Sequence, residues 1–176
     1  MRPITSRRLR RLALPAIAAC GLATAAATPA SAAAPCATDS SMRAITLCLI
    51  NAERSARDLR PLRLDRRLST AARRHSRDMV AKHYFAHDSR SGARFSARIA
   101  RTGWMSGRGA WNVGENLGWG SGTQATPRSI VAAWMNSAGH RHNILSAKFR
   151  VIGIGIALRT PVGNAAGATY TTDFGS

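Results

Sequence analysis

A chain of 176 residues with 26 lysines and arginines against eight aspartates and glutamates carries a net charge of +18. The length suits one domain with a sizeable core. Aromatic residues are few and are not interleaved with the arginines as a single-strand binder requires, so no specific nucleic-acid partner is expected.

The N-terminus reads as an export signal. Arg2, Arg7, Arg8, Arg10 and Arg11 form a charged start, Leu12 to Ala27 an apolar run, and Ala30-Ser31-Ala32 a small-residue cleavage site. That run is short and interrupted by Pro15, which argues against a membrane span, and no other stretch is long and apolar enough to cross a bilayer. Cleavage after residue 32 leaves 144 residues, starting near Ala33, in which 21 basic side chains stand against all eight acids, a net +13. Ile17-Ala18-Ala19-Cys20 also resembles a lipoprotein box, so the expected location is secreted, with a form lipidated at Cys20 as the alternative. Outside the cell, Cys36 and Cys48 are an even pair, and a disulfide tying the N-terminal segment to the first helix is expected; their spacing matches no zinc motif. The arginine surplus is spread over the whole domain and reads as a solvated surface, one that would meet anionic wall polymers or lipid headgroups. A monomer is expected.

Along the mature chain, residues 33–41 form a short leader. Ser40 or Ser41 caps a helix to about Leu59, with Ile45, Leu49 and Ile50 on one side and Pro61 beyond its end. Asp65 caps a second helix to about Tyr84, with Leu68, Ala72, Met79 and Val80 on its apolar face and Arg66, Arg67, Arg73, Arg74 and Arg77 mostly outside it. If that helix continued, His83 and His87 would share a face able to chelate a metal; the loop-like segment from His87 to Gly92 favours His75 and His83 as half-buried packing residues instead. A third helix fits Phe95 to Thr102, stopped by Gly103, and Trp104 to Trp111 reads as loop. Asn112 to Trp119 alternates too poorly to be assigned as a strand, although its glycines suggest backbone packed against another element. Thr126-Pro127 opens a fourth helix, carrying Ile130, Val131, Trp134 and Met135 and ending at Gly139. Phe149 to Leu158 and Ala168 to Phe174 read as two antiparallel strands, with Gly153 and Gly155 on one face where another layer can approach. Helices first and strands later make an α+β layered domain.

In order, Asn51-Ala52-Glu53-Arg54, Pro61-Leu62, Tyr84-Phe85-Ala86-His87, Gly114-Glu115-Asn116 and the run from Trp134 through Gly139-His140-Arg141-His142 to Ile144 resemble the landmarks of the CAP superfamily. This is the group of cysteine-rich secretory proteins, antigen 5 and plant pathogenesis-related-1 proteins, here in its short bacterial form with the SCP domain. The resemblance covers about Met42 to Phe174 and implies a single-domain α-β-α sandwich over residues 42–176. It also implies a cleft in which His87, Glu115 and His140 match the family's two histidines and one of its two acids. The second acid has no match, because Asn136 and Ser137 stand where animal and plant members carry glutamate; Asn136 retains the capacity to hydrogen-bond a ligand. Two imidazoles and one carboxylate suffice for Zn2+ or another divalent cation with an open position. The same trio can instead be an internal polar staple, with Glu115 accepting hydrogen bonds from the histidines or the backbone. His142, two positions from His140, is read as surface.

Family members are associated with sterol and lipid binding, with host or microbial interaction, and in scattered cases with protease activity. The expectation is a secreted module whose His/Glu cleft binds a divalent cation, an extracellular ligand such as a lipid, sterol or wall component, or both. The alternatives are a cation-dependent hydrolase acting outside the cell and a basic protein that adheres to surfaces by charge. No nucleophile elbow, His-Glu-x-x-His or phosphate loop is present, and no residue is assigned as catalytic.

Overall fold

The computed structural model describes Cys36, residues 41–163 and residues 165–176; the expected signal segment, with Cys20, and most of the leader, with Ser40, lie outside the described residues. Ser41 Oγ accepts from Ala44 N–H at 3.3 Å and starts α1 (Met42–Ser55), which stops four residues short of Leu59. The motif at the end of α1 explains itself by its bonds. Asn51 exchanges two hydrogen bonds with the backbone of Leu62, and the buried Arg54 donates to the carbonyls of Arg60, Ile144 and Ser146. A guanidinium so placed ties three chain segments together and satisfies carbonyls that would otherwise be buried unpaired. The expected disulfide is present, joining Cys36 to Cys48 of α1 with a Cα separation of 5.8 Å.

Asp65 Oδ1 accepts from the backbone N–H of Arg67 and Leu68 and caps α2 (Arg66–Ala81). This helix ends three residues before Tyr84 because Lys82 leaves helical geometry and His83 takes a positive φ of 52°. His83 and His87 therefore do not share a helical face. After α3 (Phe95–Ala100) the chain enters β2 (Val113–Ser121), the segment whose weak alternation hid a nine-residue strand. The pattern is blurred because residues on both of its faces are buried.

The fourth helix corrects a second expectation. Helix α4 (Pro127–Asn136) ends before Gly139, Ser137 adopts an extended conformation, and a new helix, α5 (Ala138–Leu145), carries Gly139, His140 and His142. Gly139 sits in the first turn of α5, where a glycine is tolerated, rather than stopping α4. Strands β3 (Val151–Ala157) and β4 (Gly167–Gly175) pair antiparallel as expected, and β4 also pairs antiparallel with β2. A two-residue strand, β1 (Arg63–Leu64), pairs parallel with β3 and is too short to announce itself by periodicity. The sheet order is β1-β3-β4-β2, so β2 is an edge strand.

Helices cover both faces, which makes the α-β-α sandwich. On one face Ile50, Trp134, Ile144, Ile152, Tyr170 and Phe174 join α1, α4 and α5 to the sheet. On the other, Leu68, Ala71, Ile99 and Trp104 join α2 and α3 to it. The second interface is unusually close: a Cβ added at Gly153 would overlap the backbone carbon of Leu68, and one at Gly155 that of Ala72. Such contacts allow no methyl group, because backbone cannot yield as a side chain can. Gly155→Ala is expected to destabilise the protein by about 3 kcal/mol in urea unfolding; a loss below about 1 kcal/mol would mean that α2 does not lie this close to β3.

Candidate functional site

Glu115 is the third residue of edge strand β2, and its side chain is only 1% exposed. Burying a carboxylate requires partners, and two converge on it. Arg98 of α3, itself buried, donates from Nη2 to Oε2 at 2.5 Å; His87, on the loop after α2, meets Oε1 through Nδ1 at 2.8 Å. Arg98 Nη1 also donates to the carbonyls of His87 and Ala93, at 2.6 and 3.2 Å. One guanidinium thus fixes both the carboxylate and the loop that presents the histidine. From below, His75 of α2, also buried, donates from Nε2 to the carbonyl of Ala86 at 2.9 Å.

This geometry dictates the chemistry of His87. A carboxylate only accepts, so Nδ1 carries the proton and Nε2 of neutral His87 is left with a free lone pair. The side chain is 53% exposed, so that lone pair belongs to a half-open surface. The hydrogen bond to Glu115 is the main cause that raises the pKa of His87, against a smaller desolvation effect. His140, in the first turn of α5, is shifted the other way, first by burial and then by the charge of His87, so the two imidazoles act on one another across the β2 edge. His140 is held from below by Asn116, the next residue of β2, whose Nδ2 donates to the His140 carbonyl at 3.1 Å, while Asn143 bonds both Asn116 and the Glu115 carbonyl.

A second acid is present, though not where the family resemblance places it. Asp173 of β4 is the direct cross-strand partner of Glu115 and is 1% exposed, and its Oδ1 has no hydrogen-bond partner among the described residues. Burial, and next the charge of Glu115, push its pKa well above the ordinary carboxylate range. Both effects favour the protonated form of Asp173. Neither Arg98 nor Asp173 was singled out from sequence. Asn136 is exposed at the end of α4 and has no hydrogen bond to the trio, and His83 and His142 are both exposed.

The expected three-ligand metal set does not fit this arrangement. Both Glu115 oxygens are engaged, and among the described residues no group of three His, Cys, Asp or Glu side chains is placed to hold an ion. The donor atoms that remain are imidazole nitrogens of His87 and His140, with Glu115 behind His87.

Comparison with known proteins agrees with the order of these elements. The model of the cysteine-rich secretory protein (CAP) family matches residues 47–172. The chain belongs to this family. Among curated relatives of this CAP protein is the uncharacterized protein YkwD of Bacillus subtilis, 44% identical over 108 residues, which are 61% of this chain and 39% of that one. An extracellular protein containing an SCP domain from Bacillus anthracis superposes with a TM-score of 0.59 at 29% identity, over 73% of this chain and 38% of that one. The chain therefore spans well under half the length of these two relatives. An outer surface protein of Borrelia burgdorferi shares the fold, with a TM-score of 0.63 at 20% identity over 77% of this chain and 92% of that one.

The Asp173 shift has a definite sign. A folded-state pKa raised above the unfolded value of about 3.9 means that stability is fully present below that pH and falls as pH rises toward the folded pKa. Asp173→Asn, which keeps shape and removes ionisation, is expected to raise the melting temperature at pH 7 by a few degrees, with the gain shrinking toward pH 4. Calorimetry at both pH values checks this, and a variant less stable at pH 7 than at pH 4 relative to the parent would show that Asp173 is buried ionised.

Proposed function

We propose that this CAP domain is a secreted binding module whose cleft takes a divalent cation of the zinc type through the imidazoles of His87 and His140. The observation that carries this reading is the orientation of His87: its Nδ1–H is held by Glu115, so Nε2 is offered outward. A histidine whose second nitrogen is held by a carboxylate is a stronger and better-oriented metal ligand than a free one. His140, whose neutral form is favoured by burial, supplies the second nitrogen. With two protein ligands the ion would keep open positions for water or for an extracellular ligand.

The ligand class that fits is a lipid, sterol or wall component, since Phe85 is left 41% exposed two residues from His87 and gives the polar site an apolar neighbour. Binding is favoured over hydrolysis by the state of Glu115. A carboxylate engaged by a guanidinium and an imidazole N–H is poorly placed to act as a general base, and Asp173 lies buried behind it. Secretion is supported by the disulfide, by the leader sequence and by the extracellular nature of the B. anthracis relative. Among the described residues no helix is long and apolar enough to cross a membrane.

Titration calorimetry with zinc chloride at pH 7.5 tests the proposal. One ion per chain is expected, with binding weakened at least tenfold by His87→Ala and by His140→Ala, roughly 10- to 100-fold by Glu115→Gln through lost orientation, and not at all by His142→Ala. Zinc uptake that is absent, or that ignores both cleft histidines, would overturn it.

A further inference from the structure

The arginines are not as dispersed in space as they are in sequence. A groove of about 760 Å³ on the outer side of α2 and α3 is lined by Arg66, Arg67, Arg74, Arg101 and Arg108, with Asp65 as its one acid. Neither His87, Glu115 nor His140 lines it. Asp65 is already committed to the α2 cap, and none of the five arginines forms an ion pair with a carboxylate; the pairs present among the described residues are Arg57–Glu53, Lys82–Asp78, His87–Glu115 and Arg98–Glu115.

Two of the five guanidinium groups are held in place by the fold. Arg67 donates to the Gly103 carbonyl at 2.8 Å, and Arg108 donates to the Trp104 carbonyl at 2.7 Å while its guanidinium lies 4.2 Å from the centre of the Trp104 ring. Arg66, Arg74 and Arg101 are exposed, with no side-chain hydrogen bond among the described residues. Helix stability does not account for this placement. Arg66 and Arg67 occupy the first turn of α2, where the helix dipole disfavours cations, and the acid beside them, Asp65, spends its Oδ1 on the capping bonds to backbone N–H groups. Like charges gathered on one surface destabilise a fold unless something anionic joins them.

We propose that this groove is a binding site for a linear phosphate polymer without bases. Guanidinium groups match phosphate oxygens in paired hydrogen bonds, and a groove with several of them suits a chain that carries a charge on every repeat. The one aromatic side chain in its lining, Trp104, is 1% exposed and has Arg108 over its ring, so the groove offers no ring on which a nucleic-acid base could stack. The track extends past α2. Arg43 and Arg73 line an adjoining groove of about 380 Å³ that shares Leu64, Asp65, Arg66 and Thr70 with the first.

The experiment is titration of the purified protein with synthetic poly(glycerol phosphate) across a salt series, with oligothymidylate and poly-glutamate of equal charge as parallel arms. Binding at 0.15 M salt is expected, tightest for poly(glycerol phosphate), with log Kd depending on log salt with a slope of about 3.5, near 0.7 for each of the five arginines. The triple variant Arg66→Gln, Arg74→Gln, Arg101→Gln should weaken binding at least tenfold and reduce that slope by about 2. Arg101→Gln alone should weaken it two- to threefold and serves if the triple variant does not fold. An equal loss of charge elsewhere, Arg60→Gln, Arg128→Gln, Arg159→Gln, should change affinity less than twofold, as should His140→Ala. The proposal fails if the control triple weakens binding as much as the groove triple, if poly(glycerol phosphate) does not bind, or if oligothymidylate or poly-glutamate binds more tightly.

Discussion

The buried ion pair between Arg98 and Glu115 is the constraint on which the cleft depends. Desolvating both charges is unfavourable, and removing either partner alone would strand the other in a low-dielectric site, which typically costs about 3–5 kcal/mol. The pair is retained with further bonds that use the remaining valences: Arg98 reaches the carbonyls of His87 and Ala93, and Glu115 takes the Nδ1–H of His87. An irregular loop after α2 is thereby given one conformation without an apolar core of its own. The staple and the site are the same object: internal bonding of Glu115 is what sets the outward nitrogen of His87.

The scaffold around this pair is made stiff by close layers rather than by large side chains. Gly153 and Gly155 let α2 rest on β3 backbone to backbone, which fixes His75 under the Ala86 carbonyl and so fixes the loop from below. On the opposite face Trp134 donates to the Leu117 carbonyl at 2.8 Å and packs edge-on against Tyr170, holding α4 and the start of α5 against β2. Because β2 is the sheet edge, residues from the two helical layers meet across it. His87, from the side of α2, therefore reaches the Glu115 carboxylate, while on the other side the His140 carbonyl is held by Asn116.

Much of this was legible in the sequence, through ordered motifs more than through periodicity. His87, Glu115, His140 and the Cys36–Cys48 pair stand out because their neighbours are distinctive. Arg98 was not legible, since one arginine among 26 basic side chains carries no mark that it points inward. Asp173 was hidden in a threonine-rich strand whose alternation says strand but not which residue lies beside Glu115; that follows only from the β2–β4 register. Gly139 misled because a glycine after an apolar helix usually ends it, whereas here Ser137 breaks the helix two residues earlier and α5 begins at once. The clustering of Arg66, Arg67 and Arg74 with Arg101 and Arg108 was equally invisible, since it requires α3 and the turn after it to fold back along α2.

Two surfaces of different chemistry result: a half-open imidazole pair at the sheet edge and an arginine groove along α2. The first rests entirely on the tautomer of His87. Nitrogen-15 chemical shifts of its imidazole, recorded at a pH about one unit above its titration midpoint, measure that directly. The expected spectrum has a protonated Nδ1 and an unprotonated Nε2, with Glu115→Gln converting it to a mixture of tautomers. A protonated Nε2 in the parent protein would contradict the orientation of His87 and with it the cleft described.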